Sequence, residues 1–178
     1  MINQDKKFKE FISKENIAKR VKEIALEISE KFQGDIPVFV SVLNGAFIFT
    51  ADILRELDID CEIDFIKISS YEGMDSTGKV KMSKNLSIDI KNRRVIIIED
   101  IIDSGLSIKF LYKYLKKYKP KDITIVSLLA KKSNFKLNFY IDIIGFEISS
   151  EFVVGYGLDF NQKFRNLNSI CKLQSSSR

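Results

Sequence analysis

Val95-Ile96-Ile97-Ile98-Glu99-Asp100-Ile101-Ile102-Asp103-Ser104-Gly105-Leu106-Ser107 is the stretch whose reading decides the fold. Arg94 to Ile98 has no polar alternation, the pattern of a strand buried on both faces. It delivers two adjacent carboxylates, and a third stands four residues beyond Glu99. A Ser-Gly-x-Ser turn then opens a helix over Leu106 to Lys117, stopped by Pro120. Backbone amides at a helix N-terminus, with hydroxyls beside them, form a receptor for a phosphate dianion. Gly105 lets the backbone approach that phosphate with no Cβ in the way. Glu99 and Asp100 suit either the vicinal hydroxyls of a polyol or Mg²⁺, which prefers oxygen ligands. A helix cap with Ser104 as N-cap accounts for one acid easily and for three poorly. A phosphorylated sugar with free hydroxyls satisfies the whole segment.

Working outward, residues 4–31 place Phe8, Phe11, Ile12, Ile17, Val21, Ile24, Ala25 and Ile28 at helical spacing, which predicts one or two amphipathic helices. Val38 to Leu43 is a short β-rich run, Asn44-Gly45 turns the chain, and Ala46 to Leu57 reads as a helix. Further strands are expected near Cys61 to Ile68, Ile123 to Leu129, Phe139 to Ile144 and Glu151 to Val154. Strands alternating with helices imply an α/β fold with a mainly parallel sheet and helices on both faces. Ligands then belong at the carboxyl ends of the strands. The polar stretch Ser69 to Lys84 is long for a connector, and such loops are usually functional.

At 178 residues and 45% hydrophobic content the chain has enough apolar material for one domain with a real core. The absence of histidine removes His-activated nucleophiles and His-ligated zinc. Cys61 and Cys171 are too few and too far apart for a disulfide framework or a paired-thiol metal site. No apolar run approaches the ~20 residues of a membrane span, and the polar opening Met1 to Lys7 is unlike a secretory signal. A cytoplasmic protein without membrane partners is therefore expected. The net charge of +5 comes from scattered lysines and shows no helix-turn-helix, aromatic RNA platform or basic arm, so no nucleic-acid partner is expected.

The Val95–Ser107 segment resembles the phosphoribosyl-pyrophosphate signature of type I phosphoribosyltransferases: a hydrophobic strand, Glu-Asp, two aliphatics, Asp, then Ser/Thr-Gly. Four other segments resemble the hypoxanthine-guanine branch of that family, in family order. Leu43-Asn44-Gly45-Ala46 resembles its pyrophosphate loop, which implies a cis Leu43–Asn44 peptide; where many relatives have a basic residue, this chain has Asn44. Ser70 and Tyr71 resemble the Ser-Tyr pair of a mobile lid over about 69–84. Lys131 resembles the lysine that reads a purine's 6-oxo group, since an ammonium donates to a carbonyl and cannot accept from adenine's amino group. Phe152 to Asp159 resembles the hood over the base.

That resemblance implies the type I phosphoribosyltransferase fold: a mainly parallel twisted sheet flanked by helices, in one domain over 1–178. Its small hood would come from the N-terminal helices and the region around 145–178. It implies that Glu99, Asp100, Asp103, Ser104, Gly105, Leu106 and Ser107 hold the phosphoribosyl donor, and that Leu43, Asn44, Gly45 and Arg165 hold pyrophosphate. Ile101, Lys131, Phe152, Val153 and Asp159 would contact the purine. Mg²⁺ would be met by Glu99, Asp100 and Asp159, and Asp103 would accept the proton that the base gives up. The implied substrates are phosphoribosyl pyrophosphate and 6-oxopurines, and the implied assembly is a homodimer or homotetramer. A different base such as xanthine, or a non-catalytic nucleotide-sensing regulator that binds RNA, remains the alternative at this stage.

Overall fold

The structure, a computed structural model, describes residues 8–70, 80–134 and 137–174. Strand β2 (Val38–Leu43) pairs in parallel with β3 (Glu62–Ser70) on one side and β5 (Arg94–Ile102) on the other. Parallel pairing continues outward from β5 to β6 (Asp122–Ala130) and then β7 (Ile143–Glu147). Strand β4 (Val80–Lys84) adds antiparallel to β3, giving the order β4-β3-β2-β5-β6-β7. This is the expected α/β architecture.

Strand alternation builds the core. Ile96 and Ile98 of β5, with Phe39 of β2 and Val126 and Leu128 of β6, join one apolar cluster. Helices α1 (Lys14–Lys31) and α2 (Phe47–Glu56) bury Ile17, Val21, Ile24, Ile28, Phe49 and Ile53 into it. Val95, Ile97, Val38, Val40 and Ile125 point the other way, where α3 (Leu106–Lys116) contributes Ile108, Leu111 and Leu115. Successive side chains on a strand face opposite sides, so an unbroken aliphatic run is what a strand covered on both faces requires.

The structure corrects several sequence expectations. Phe8–Ile12 is not helical. It forms strand β1, antiparallel to β9 (Ile170–Leu173), which also pairs with β8 (Val153–Val154). Apolar residues four apart fit either period in so short a run, and Ser13 caps α1 by accepting from the Asn16 amide at 3.3 Å, so the helix begins only there. Both end regions of the chain thus contribute to a second, three-stranded sheet in the order β1-β9-β8. Strand β7 starts at Ile143, later than expected, and Phe139 ahead of it stacks on Tyr112 of α3 with centroids 4.3 Å apart. Strand β5 runs on to Ile102, so Glu99 and Asp100 lie within the strand and not beyond its end. Part of the polar stretch is strand as well, since Val80–Lys84 forms β4. Tyr71 and the remainder of the expected lid lie outside the described residues, as do Ser175 to Arg178.

The return of β4 to the sheet depends on Asp64, a buried carboxylate on β3. It accepts from Lys84 Nζ at 2.9 Å, from the amides of Ile88 (3.1 Å) and Phe65 (2.7 Å), and from the amide and hydroxyl of Ser87. Burial opposes the charge, and this ring of donors outweighs it, holding the Asp64 carboxyl far below the usual carboxylate range. Asp64→Ala is expected to cost about 3 kcal/mol in urea unfolding, because it strands several donors. A folded-state pKa below the unfolded ~3.9 means the stabilisation is complete above about pH 4 and is lost as pH falls through the folded value. The difference between wild type and variant should therefore shrink only in acid.

Candidate active site

The carboxyl ends of β2, β5 and β6 and the loop after β8 bring the expected segments to one end of the sheet. After β5 the chain turns through Ser104 into Gly105, which takes φ 75° as the residue preceding α3. Only a residue without a Cβ adopts that left-handed conformation at no steric cost, so the glycine sets how α3 starts. The Leu106 amide lies 3.4 Å from Ser104 Oγ, and Ser107 follows in the first turn. Ser104, Gly105 and Ser107, with Glu99 and Asp103, line a cavity of about 330 Å³ at the N-terminus of α3. Backbone amides of the first turn, two hydroxyls and the positive end of the helix dipole make it suited to a phosphate.

Glu99 and Asp100, read in the sequence as an adjacent pair, project to different sides of β5. Neighbouring residues on a strand project apart. Glu99, 4% exposed, lines the α3 cavity, whereas Asp100 lies against the β2–α2 turn. There the Leu43–Asn44 peptide is cis, as the family resemblance implied. A Cβ on Gly45 would fall 1.5 Å from Asp100 Oδ2, and one on Gly157 would fall 2.1 Å from the Gly45 carbonyl oxygen. Three segments far apart in sequence therefore meet with no room for a methyl group. Burial, foremost, raises the carboxyl pKa of both acids; for Glu99 the neighbouring Asp100 adds to it, and for Asp100 the Arg165 charge partly opposes it.

Arg165 completes this corner. It donates to the Gly157 carbonyl at 2.7 Å and to Gln162 Oε1 at 3.1 Å, and pairs with Asp159 Oδ1 at 2.7 Å. Asp159 Oδ2 accepts in turn from the Gln162 amide at 2.7 Å. Leu43, Asn44, Gly45, Asp100, Asp159 and Arg165 are thus brought together at one corner of the molecule.

On the other side of the cavity, Lys131 follows β6 and is 8% exposed. Its Nζ donates to Asp103 Oδ2 at 2.8 Å, and Asn134 Nδ2 donates to Asp103 Oδ1 at 2.7 Å. Partial burial disfavours the charged carboxylate, and the two donors outweigh it, so the Asp103 pKa lies below its usual value. Phe152 is 47% exposed and meets Phe160 edge to face, with centroids 5.8 Å apart. Its ring is not core packing and remains available for stacking. Val153 is buried in β8, and Ile101 is partly buried against the core. Ser70 is the last residue of β3.

Sequence reasoning missed Asn134 and Gln162 as parts of this end of the molecule. Gly157 stood inside the Phe152 to Asp159 segment and was given no role of its own, although the Gly-Tyr-Gly run carried a signal. The two amides carried none. Cys61 and Cys171 are both free, as their spacing suggested, and among the described residues no helix is long and apolar enough to cross a membrane.

A parallel sheet with a phosphate cradle after β5, an acid held by a lysine, and an arginine-bearing hood define a glycosyl-phosphate-handling enzyme class. Residues 9–161 match the phosphoribosyl transferase domain family, and the chain belongs to that family. Within it, the chain is 43% identical over 160 residues to the hypoxanthine-guanine phosphoribosyltransferase of Bacillus subtilis, covering 89% of each. It is 41% identical over 165 residues to the hypoxanthine phosphoribosyltransferase of Escherichia coli, covering 91% of this chain and 93% of that one. A crystal structure of a hypoxanthine-guanine phosphoribosyltransferase from Bacillus anthracis superposes with a TM-score of 0.89 at 41% identity, covering 94% of this chain and all of the other.

Proposed function

We propose that the protein transfers the 5-phosphoribosyl group of phosphoribosyl pyrophosphate to hypoxanthine or guanine in purine salvage, releasing pyrophosphate. One observation supports this most strongly: Asp103 sits at the mouth of the α3 cavity with Lys131 on one carboxylate oxygen. A proton acceptor and a 6-oxo reader therefore stand together beside a phosphate cradle.

In this reading the 5′-phosphate occupies the amides and hydroxyls of Ser104 to Ser107. The bond from ribose C1 to the pyrophosphate oxygen breaks, a bond from C1 to purine N9 forms, and the imidazole proton passes to Asp103. Arg165 and the amides at Gly45 receive the charge that develops on pyrophosphate. Phe152 stacks on the purine, while Ile101 and Val153 bound its edge. Lys131 donates to the 6-oxo oxygen, which adenine lacks.

The carboxylates fit Mg²⁺ in one specific way. Among the described residues no three acids gather into a cage of their own. Glu99 and Asp100 instead occupy separate sides of the donor site, and their burial makes unneutralised charge unfavourable there. Mg²⁺ commonly takes one or two carboxylates together with substrate oxygens, which suits that arrangement. When bound it would supply charge neutralisation of the diphosphate, with Asp159 near it through water. Family likeness is also the basis for expecting a homodimer or homotetramer in the cytoplasm.

Calorimetric titration tests the base preference without turnover. Inosine and guanosine monophosphate should bind at least about tenfold more tightly than adenosine monophosphate, the worth of one buried hydrogen bond to a charged donor. Lys131→Ala should erase that preference and leave phosphoribosyl pyrophosphate affinity within about twofold. Equal binding of all three nucleotides by the wild type would remove Lys131 from the reading of the base.

A further inference from the structure

Asp103 is half exposed, and among the described residues each of its oxygens has a single donor. Lys131 holds Oδ2 from the end of β6, and Asn134 holds Oδ1. An ionised carboxylate only accepts, so the Asn134 amide must present its nitrogen, which fixes its orientation. Asn134 closes the short 3-10 turn Lys132–Asn134, and its own amide donates to the Lys131 carbonyl at 2.8 Å. The two donors are thus anchored to each other by one turn of backbone. They differ in reach and charge. Lysine is long and cationic, whereas asparagine is short and neutral.

On the ribosyl-transfer reading, Lys131 has two acceptors to serve, Asp103 and the 6-oxo oxygen of the purine. An ammonium that turns toward the base leaves Asp103 Oδ2 without its partner. Asn134 is placed to remain. We propose that Asn134 is a positioning residue for the reaction: its amide keeps the Asp103 carboxylate aimed into the site while Lys131 passes to the purine. The chemistry favours a neutral donor there. A second cation would hold the carboxylate equally well but suppress its ability to take a proton. With no donor on Oδ1, the half-exposed carboxylate would turn to water once Lys131 had left. The other charged group lining this cavity is Glu99.

The test combines steady-state kinetics across pH with a carboxyl ¹³C titration of Asp103, assigned by its disappearance in Asp103→Asn. Asn134 is exposed, so its replacement should leave folding intact. In Asn134→Ala, kcat should fall about tenfold, the KM for phosphoribosyl pyrophosphate should stay within about twofold, and the acid limb of the kcat profile should move to higher pH. Asn134→Asp, which sets a like charge against Asp103, should fall further and move the limb more, whereas Asn134→Gln should recover part of the loss. The titration midpoint of Asp103 should rise in Asn134→Ala even without substrates. An unmoved midpoint, or a kcat within twofold of wild type with an unmoved acid limb, overturns the proposal. So does a loss shared equally by kcat and donor KM with the profile unchanged, which would mark a merely structural role. A wild-type protein that makes no nucleotide while the midpoint still moves would sink the ribosyl-transfer reading and establish Asn134 as an anchor of Asp103 alone.

Discussion

Asp103→Asn is expected to lower kcat by at least ~10²-fold, within the ~10²–10⁴ that general acid–base help supplies, while nucleotide binding survives. The substitution preserves shape and removes the anion. The replacement amide could turn its single oxygen toward Lys131 or toward Asn134 but not both, and it could not take the purine's proton. The wild-type acid is well suited to being ionised at working pH, because its two donors hold its pKa below the ordinary range. Its protonation should therefore limit turnover only in acid, with rate rising as pH climbs through that lowered value and the acid limb absent in the variant. The same two donors weaken it as a base in the free enzyme, and transfer of Lys131 to the purine would restore basicity when it is needed. Near-normal turnover in Asp103→Asn would remove Asp103 from the role, and loss of nucleotide binding along with rate would make it a structural acid.

Gly45→Ala should be nearly as damaging, for a purely steric reason. The added methyl group would lie 1.5 Å from Asp100 Oδ2 and 2.4 Å from its Cγ, so the Asp100 side chain must move or the turn must open. Asp100 has little freedom to do so, being partly buried and tied to the Ile101 amide at 2.9 Å. Displacement at this corner also disturbs Gly157, whose carbonyl receives Arg165. Misplacement by about 1 Å near the chemistry costs on the order of 10²-fold, and kcat/KM for phosphoribosyl pyrophosphate should fall by that order. Circular dichroism and thermal unfolding should show a folded protein, since the position lies at the end of β2 and outside the core clusters. A kcat/KM within about twofold of wild type would mean that the convergence of Gly45, Asp100 and Gly157 has no part in donor binding.

The central sheet was legible in the sequence because β2, β5 and β6 are covered on both faces and so read as aliphatic runs. Asp103, Ser104 and Gly105 were legible for the same reason, since a buried strand followed by a glycine turn and a helix sets their place. Of the small three-stranded sheet only β8 was, inside the strand expected over Glu151 to Val154, whereas β1 and β9 were not. Strands β1, β8 and β9 are two to five residues long, and a run such as Ile170-Cys171-Lys172-Leu173 carries no period that distinguishes it from a loop. Phe8 and Ile12 fitted a helix until the Ser13 cap fixed where α1 begins. Asn134 was illegible for another reason. It is a surface asparagine in a lysine-rich turn, and its meaning comes wholly from Asp103, 31 positions earlier. The division of Glu99 from Asp100 could have been foreseen from strand geometry, had β5 been extended past Ile98.

Nucleotide formation by the purified wild-type protein tests the central claim most directly. With Mg²⁺ and phosphoribosyl pyrophosphate present, hypoxanthine, guanine, xanthine and adenine would be supplied separately and the products separated by chromatography. The geometry around Asp103 and Lys131 predicts inosine and guanosine monophosphate together with stoichiometric pyrophosphate, and no adenosine monophosphate. Adenosine monophosphate formed as readily as the 6-oxo products, or no nucleotide from any base by folded protein that binds the donor, would contradict it.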